Sequence, residues 1–163
     1  MFNKVRDLAI FNLAIDGKSR GCDLVALKVK DIAHGKTIQS QSIIVQKRTG
    51  TPVQFEITEN TRLSLYALIE RSKLTSSDYL FKSRVQSSDH VSNRQYGHIV
   101  DNCVSNIGLK HTQYGTHSMR RTKPSLIYKK TKNLRACQLL LYHSILITAH
   151  IQPVSMAHFG DTF

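Results

Sequence analysis

The run Tyr114-Gly115-Thr116-His117-Ser118-Met119-Arg120-Arg121 restricts the architecture more tightly than any other stretch of the chain. Thr116 is a favourable helix N-cap. A helix starting there sets His117 and Arg120 side by side on one face. An imidazole and a guanidinium at a helix N-terminus, where unpaired N–H groups and the helix dipole already favour negative charge, form a phosphate site. Lys and Arg outnumber Asp and Glu by 23 to 11, for a formal net charge of +12. In so basic a chain the phosphate points to nucleic acid, because protein cations release the counterions condensed on a polyanion. Taken alone, the charge excess also fits a solvated basic surface.

A length of 163 residues suits one domain with a real core and is too short for two comfortable ones. Cys22, Cys103 and Cys137 are scattered, with no paired spacing, which argues against a disulfide framework and a structural zinc site. A reducing, cytoplasmic setting is expected. The histidines show no HExxH pattern and no carboxylate cluster stands ready for a metal, so no metal or other cofactor is expected. The apolar stretch Leu8 to Ile15 is flanked by Asp7 and Asp16 and interrupted by Asn12. It is too short to cross a bilayer and lacks a cleavage site, so it reads as a buried helix and no membrane is implied.

Residues 4–15 are apolar around most of the helical circumference, and Gly17 marks their end. A second short helix is expected over 21–27, followed by the alternating stretch Leu27 to Ile32. Residues 42–47 and 52–57 carry β-branched side chains on either side of Thr49-Gly50-Thr51 and read as a β-hairpin. Asn60 or Thr61 could cap a helix over 61–73 with Leu63, Tyr66 and Ile69 on its apolar side. Residues 74–92 read as a polar loop around Tyr79-Leu80-Phe81. Further helices are expected over 93–107, 117–131 and 133–141, with Pro124 kinking or breaking the second of these. The class is mainly α with a small antiparallel β-hairpin.

Four segments, taken in order, resemble the catalytic domain of the tyrosine recombinases, the phage integrase family. The first is Asp16-Gly17-Lys18-Ser19-Arg20-Gly21-Cys22-Asp23-Leu24, similar to the family's Gly-Leu-Arg-x-x-Glu-Leu region with Asp23 in the acidic place. The second is the hairpin Val45-Gln46-Lys47-Arg48-Thr49-Gly50, which looks like the strand carrying the family's lysine. The third is His117-x-x-Arg120. The fourth is Leu139-Leu140-Leu141-Tyr142-His143, similar to the family's Leu-Leu-Gly-His. The resemblance spans residues 4–146 and implies a catalytic-domain-like fold over 1–146, with a divergent tail over 147–163.

The resemblance also implies a chemistry. Transesterification of DNA builds negative charge on one phosphate, and Arg20 and Arg120 would hold its non-bridging oxygens in fixed forks. Lys47 would protonate the leaving 5′ oxygen, His117 would move a proton or position the phosphate, and His143 would add a hydrogen bond. Asp23 would orient Arg20 through a salt bridge or act as an ordinary cap. Lys47, Arg48 and Arg121 are the candidate DNA contacts. The implied partners are double-stranded DNA and other recombinase subunits, and the implied origin is a bacterial or phage-derived mobile element.

The chain departs from the family where the nucleophile should stand. The tyrosine position is Gln152, and no tyrosine follows Tyr142. An amide cannot form the phosphotyrosyl intermediate. The expectation is therefore a recombinase-type domain with impaired catalysis, and the alternative is a non-catalytic basic DNA-binding or regulatory module derived from a mobile element.

Overall fold

The structure, a computed structural model, describes residues 2–84, 88–133 and 135. The backbone clusters into two compact units, Met1–Arg120 and Arg121–Phe163. The first holds α1 (Phe2–Gly17), α2 (Gly21–Val25), α3 (Val29–Ile32), β1 (Ala33–His34), β2 (Thr37–Ile38), β3 (Gln41–Val45), β4 (Pro52–Glu56), α4 (Glu59–Ser72) and α5 (Asn93–Asn106). Helix α6 (Thr116–Thr131) starts in the first unit and continues into the second. The class is the expected one, helices with small antiparallel sheets.

Helix α1 packs against α2, α4, α5 and β4. Its apolar run can serve several neighbours because Ala9, Ile10, Phe11, Leu13 and Ala14 are all buried. Burying a side chain the size of Ile10 or Leu13 contributes roughly 1.5–3 kcal/mol. The helix keeps Gly17 as its last residue, and the left-handed backbone falls instead on Lys18, at φ 50°. A side chain at that φ is strained, and its neighbours must hold it there.

Asp16, at the end of α1, does a job that no neighbour in sequence could do. Its Oδ2 accepts the Thr58 N–H at 2.8 Å, the Thr58 hydroxyl at 2.7 Å and the Thr61 hydroxyl at 2.6 Å. Thr58 therefore flanks the start of α4, in place of the expected Asn60 or Thr61, and the cap comes from a distant carboxylate. The same contact turns the helix. Thr61, Ser64, Leu65 and Leu68 face inward, whereas Leu63 and Tyr66 are 61% and 50% exposed. The apolar side expected at Leu63, Tyr66 and Ile69 is thus the wrong stripe.

The main hairpin forms where the β-branched runs flanking Thr49-Gly50-Thr51 predict it. Strands β3 and β4 pair antiparallel with Ser42 opposite Phe55 and Ile44 opposite Val53, and these four side chains are the buried ones. Pro52 opens β4, where a missing N–H is tolerated. A second, two-residue hairpin joins β1 to β2 around Gly35, whose φ of 60° suits the turn. The alternating stretch after α2 closes into the single turn α3, because the Lys28 N–H donates to Asp31 Oδ2 at 2.7 Å. In the long polar loop, Leu80 donates its N–H to the Leu27 carbonyl at 2.8 Å and Val91 to the Phe81 carbonyl at 2.9 Å. These bonds press Leu80, Phe81 and Val91 into the core.

Helix α6 begins at Thr116, so the cap position passes to Gly115. The Gly115 carbonyl accepts from the Ser118 N–H at 2.8 Å, and its own N–H donates to Ser118 Oγ at 3.3 Å. Pro124 lies inside the helix without ending it. Its ring removes one backbone donor, but its fixed φ is helical. Cys22 and Cys103 are free thiols, and burial beside Asp7 raises the Cys103 pKa. Cys137, the helix expected over 133–141 and the boundary expected at 146 lie outside the described residues.

Candidate functional site

The site starts at the corner between α1 and α2. Arg20 occupies the flanking position of α2 with an extended backbone, and its carbonyl accepts the N–H groups of Asp23 and Leu24, each at 3.0 Å. This fixes the Arg20 backbone at a helix start while its side chain stays half-buried. The next residue must be small. A Cβ on Gly21 would stand 3.2 Å from Cδ1 of Tyr96, a buried side chain of α5. Gly21 thus lets α2 lie against α5.

Two hydrogen bonds fasten this corner to the hairpin turn. Arg20 Nη1 donates to Gln46 Oε1 at 3.0 Å, and the Lys47 N–H donates to Asp23 Oδ1 at 2.9 Å. Gln46 is only 3% exposed, and its Oε1 also accepts the Thr49 hydroxyl at 3.0 Å. The turn is closed by Gln46 N–H to Thr51 O at 3.0 Å and by Gly50 N–H to Gln46 O at 2.8 Å, with Gly50 at φ 65°. The side chains of Lys47 and Arg48 are exposed at this turn.

Asp23 does not act as the salt-bridge partner of Arg20. Its carboxylate is spent on the Lys47 backbone, and among the described residues no carboxylate pairs with Arg20. Asp23 Oδ2 and Gln46 Nε2 are buried and make no hydrogen bond among the described residues.

Arg120 reaches the same corner from the other end of the unit. Its Nε donates to the Lys18 carbonyl at 2.9 Å, across 102 positions of sequence. Lys18 stands two residues before Arg20, so Arg120 is bonded to the short stretch of backbone from which Arg20 departs. The bond also gives the left-handed Lys18 a reason to persist. Met119 is buried and anchors the first turns of α6. His117 is exposed, one turn before Arg120 on the same helix face.

Of the expected site residues, Arg20, Asp23, Lys47 and Arg120 are joined through these contacts. Arg48 lies beside Lys47, and Arg121 follows Arg120 as an exposed residue of the second unit. His143 and Gln152 lie outside the described residues. Gln46, Thr49 and the Lys18 carbonyl were missed, since an uncharged side chain and a backbone oxygen carry no sequence signal of a charged site. Only Thr49-Gly50 was legible, and only as a turn.

Chemically, the corner offers two half-buried guanidiniums, with the exposed Lys47 on the turn bonded to it and the exposed His117 one helical turn before Arg120. Fixed planar forks suit the oxygens of a phosphate. Among the described residues no group of three or more His, Cys, Asp or Glu could hold a metal ion. No described helix is long and apolar enough to cross a membrane.

Comparison with known proteins gives the same fold. Among curated proteins, the probable integrase/recombinase YoeC of Bacillus subtilis (strain 168) is 27% identical over 139 residues, covering 85% of this chain and 72% of the relative. The XerH site-specific recombinase, solved bound to its difH substrate in a pre-cleavage complex, superposes with a TM-score of 0.67 at 20% identity. That match covers 89% of this chain and 42% of XerH. The XerA recombinase superposes with a TM-score of 0.69 at 19% identity, over 88% of this chain and 51% of XerA. The chain thus spans about half or less of these solved relatives. Residues 2–151 match the phage integrase family, and the chain belongs to that family of tyrosine recombinases.

Proposed function

We propose that this chain is a DNA-binding domain of the integrase/recombinase type that grips a backbone phosphate and does not cut it. The observation that carries the reading is the bond from Arg120 Nε to the Lys18 carbonyl, which holds Arg120 two residues from Arg20 at the α1–α2 corner. In the proposed complex the two guanidiniums hold the non-bridging oxygens of one phosphate. Because each guanidinium is already held by a hydrogen bond to the protein, less reorganisation accompanies binding. Lys47, presented by the turn, stands for the proton donor to a leaving 5′ oxygen, and His117 for a phosphate contact or proton carrier. Arg48 and Arg121 add contacts to neighbouring phosphates, which raise affinity without reading sequence. His143 belongs to the same set by resemblance.

Gln152 at the nucleophile position supports the loss of cleavage, because an amide supplies no attacking oxygen. Every copy in a homo-oligomer would carry the same Gln152, so strand exchange through that position would need an intact recombinase subunit as partner. The test uses a duplex carrying a suicide nick, scored for a covalent protein–DNA adduct, beside salt-dependent binding to the intact duplex. Binding without an adduct is expected. A clear adduct would refute the claim of lost cleavage, and no binding would refute the DNA reading. The non-catalytic regulatory module is favoured over a partnered recombinase if an intact relative, mixed in, neither forms a mixed complex nor exchanges strands.

A further inference from the structure

We propose that Gln46 is a positioning residue whose buried amide oxygen ties the Arg20 guanidinium to the turn presenting Lys47 and Arg48, so that phosphate grip and hairpin pose are set together. The inference rests on the reading of Arg20 as a phosphate ligand. Gln46 Oε1 accepts from Arg20 Nη1 and from the Thr49 hydroxyl, both at 3.0 Å. One acceptor therefore bonds the arginine of the α1–α2 corner and the turn itself.

The orientation of the amide is determined by chemistry. A guanidinium only donates hydrogen bonds, so the oxygen, and not the nitrogen, must face Arg20. Gln46 is also the last inward-facing residue of the β3 side of the hairpin, following Ser42 and Ile44, with 3% exposure. Swinging its side chain into water would forfeit the bonds from Arg20 and Thr49, while its backbone N–H and carbonyl close the turn through Thr51 and Gly50. With Nη1 committed to Gln46, one arm of the Arg20 fork is held, and among the described residues its Nε and Nη2 donate to no other group. The parallel bond from Lys47 N–H to Asp23 Oδ1 holds the turn to α2 but touches no atom of the Arg20 side chain. Gln46 is thus the residue through which Arg20 and the turn act on each other.

The test is a double-mutant cycle on the full chain, read by fluorescence anisotropy with a labelled duplex at fixed salt. Gln46→Met keeps the volume and removes the acceptor. It should weaken binding about 3- to 10-fold, the scale of one net hydrogen bond. Combined with Arg20→Ala it should add nothing to the loss caused by Arg20→Ala alone. A second measurement needs no DNA: trypsin cleavage after Lys47 or Arg48 should speed up in Gln46→Met and also in Arg20→Ala. If Gln46→Met folds poorly by thermal melting, Thr49→Val takes its place and should speed turn cleavage in the same way.

The outcomes separate the two ideas. If Arg20→Ala weakens binding while Gln46→Met is neutral or strictly additive, the role of Gln46 is overturned and the phosphate reading stands. If Arg20→Ala leaves binding unchanged, the phosphate reading fails, and trypsin decides the tie alone. Unchanged turn cleavage in Arg20→Ala would then overturn the tie as well.

Discussion

The Asp23 carboxylate accepts the backbone N–H of Lys47 at 2.9 Å, joining positions 24 residues apart. Asp23 is 5% exposed, so this bond lies where water competes poorly. The side chain expected either to pair with Arg20 or to act as an ordinary cap is instead a clamp on the strand end that presents Lys47. Asp23→Ala should destabilise the fold by about 1.5–3 kcal/mol, the scale of a hydrogen bond to a charged group. Asp23→Asn keeps Oδ1 as an acceptor and should recover part of the loss. Urea unfolding of the two variants checks this, and an Asp23→Ala midpoint equal to wild type would remove the clamp from the argument.

Gly21→Ala places a methyl group 3.2 Å from the Tyr96 ring at the junction of α2 and α5. Both neighbours are packed, so overpacking of about 1–3 kcal/mol is expected. Shrinking the ring with Tyr96→Leu should reduce the penalty of the alanine, and thermal unfolding of the two singles and the double measures the coupling. Additive losses would mean that the two sites do not press on each other.

Tyr96 also predicts a dependence on alkaline pH. Burial raises the pKa of its phenol above the ordinary 10.0. Above that ordinary value the unfolded chain loses the phenolic proton while the native protein keeps it. Stability contributed by this group is therefore complete below about pH 10 and falls as pH rises toward the folded value, by up to about 1.4 kcal/mol per pH unit. Tyr96→Phe should flatten that decline. Urea midpoints between pH 8 and 11 for both proteins measure the difference, and parallel curves would count against a buried neutral phenol.

The two sides of α4 should respond oppositely. Leu65 is fully buried, and Leu65→Ala should cost about 2–5 kcal/mol. Leu63 is 61% exposed, and Leu63→Ser should stay within about 0.5 kcal/mol of wild type. Reversed sensitivities in a chemical denaturation series would put the helix on its other face.

For Arg120, charge and shape can be separated. Arg120→Ala should lower the slope of log affinity against log salt by about one unit for duplex DNA, as one phosphate contact is lost. Arg120→Lys should keep the slope but lower affinity, since an ammonium cannot both hold the Lys18 carbonyl through Nε and present a planar fork. Binding titrations between low and moderate salt decide it. An Arg120→Ala slope equal to wild type would take Arg120 out of the phosphate contacts.

These outcomes also mark what could be read from residue order alone. Ile43, Ile44 and Val45, followed by Thr49-Gly50, announce a hairpin because β-branching and turn chemistry are local properties. The His117–Arg120 pair is legible for the same reason, being a spacing within one helix. The inward stripe of α4 was not legible. It contains Thr61 and Ser64, whose hydroxyls look like surface groups until Asp16 accepts from Thr61 at 2.6 Å and Asn12 donates to Ser64 at 3.3 Å. A distant carboxylate makes a polar residue inward-facing, and no window of neighbouring residues contains that information. Gln46 was overlooked on similar grounds, as its importance comes from Arg20 and Thr49 and not from any charge of its own.

The Asp16 contact has a mechanical corollary. Its carboxylate rivets the end of α1 to the start of α4, and α2 begins immediately after Arg20. The connecting span, Gly17 to Arg20, is anchored at both ends and too short to slide. Lengthening the tip between Lys47 and Thr51 would draw Thr49 away from Gln46 Oε1, the atom that also holds Arg20, so loop length and anion capture are constrained to change together in descendants of this sequence.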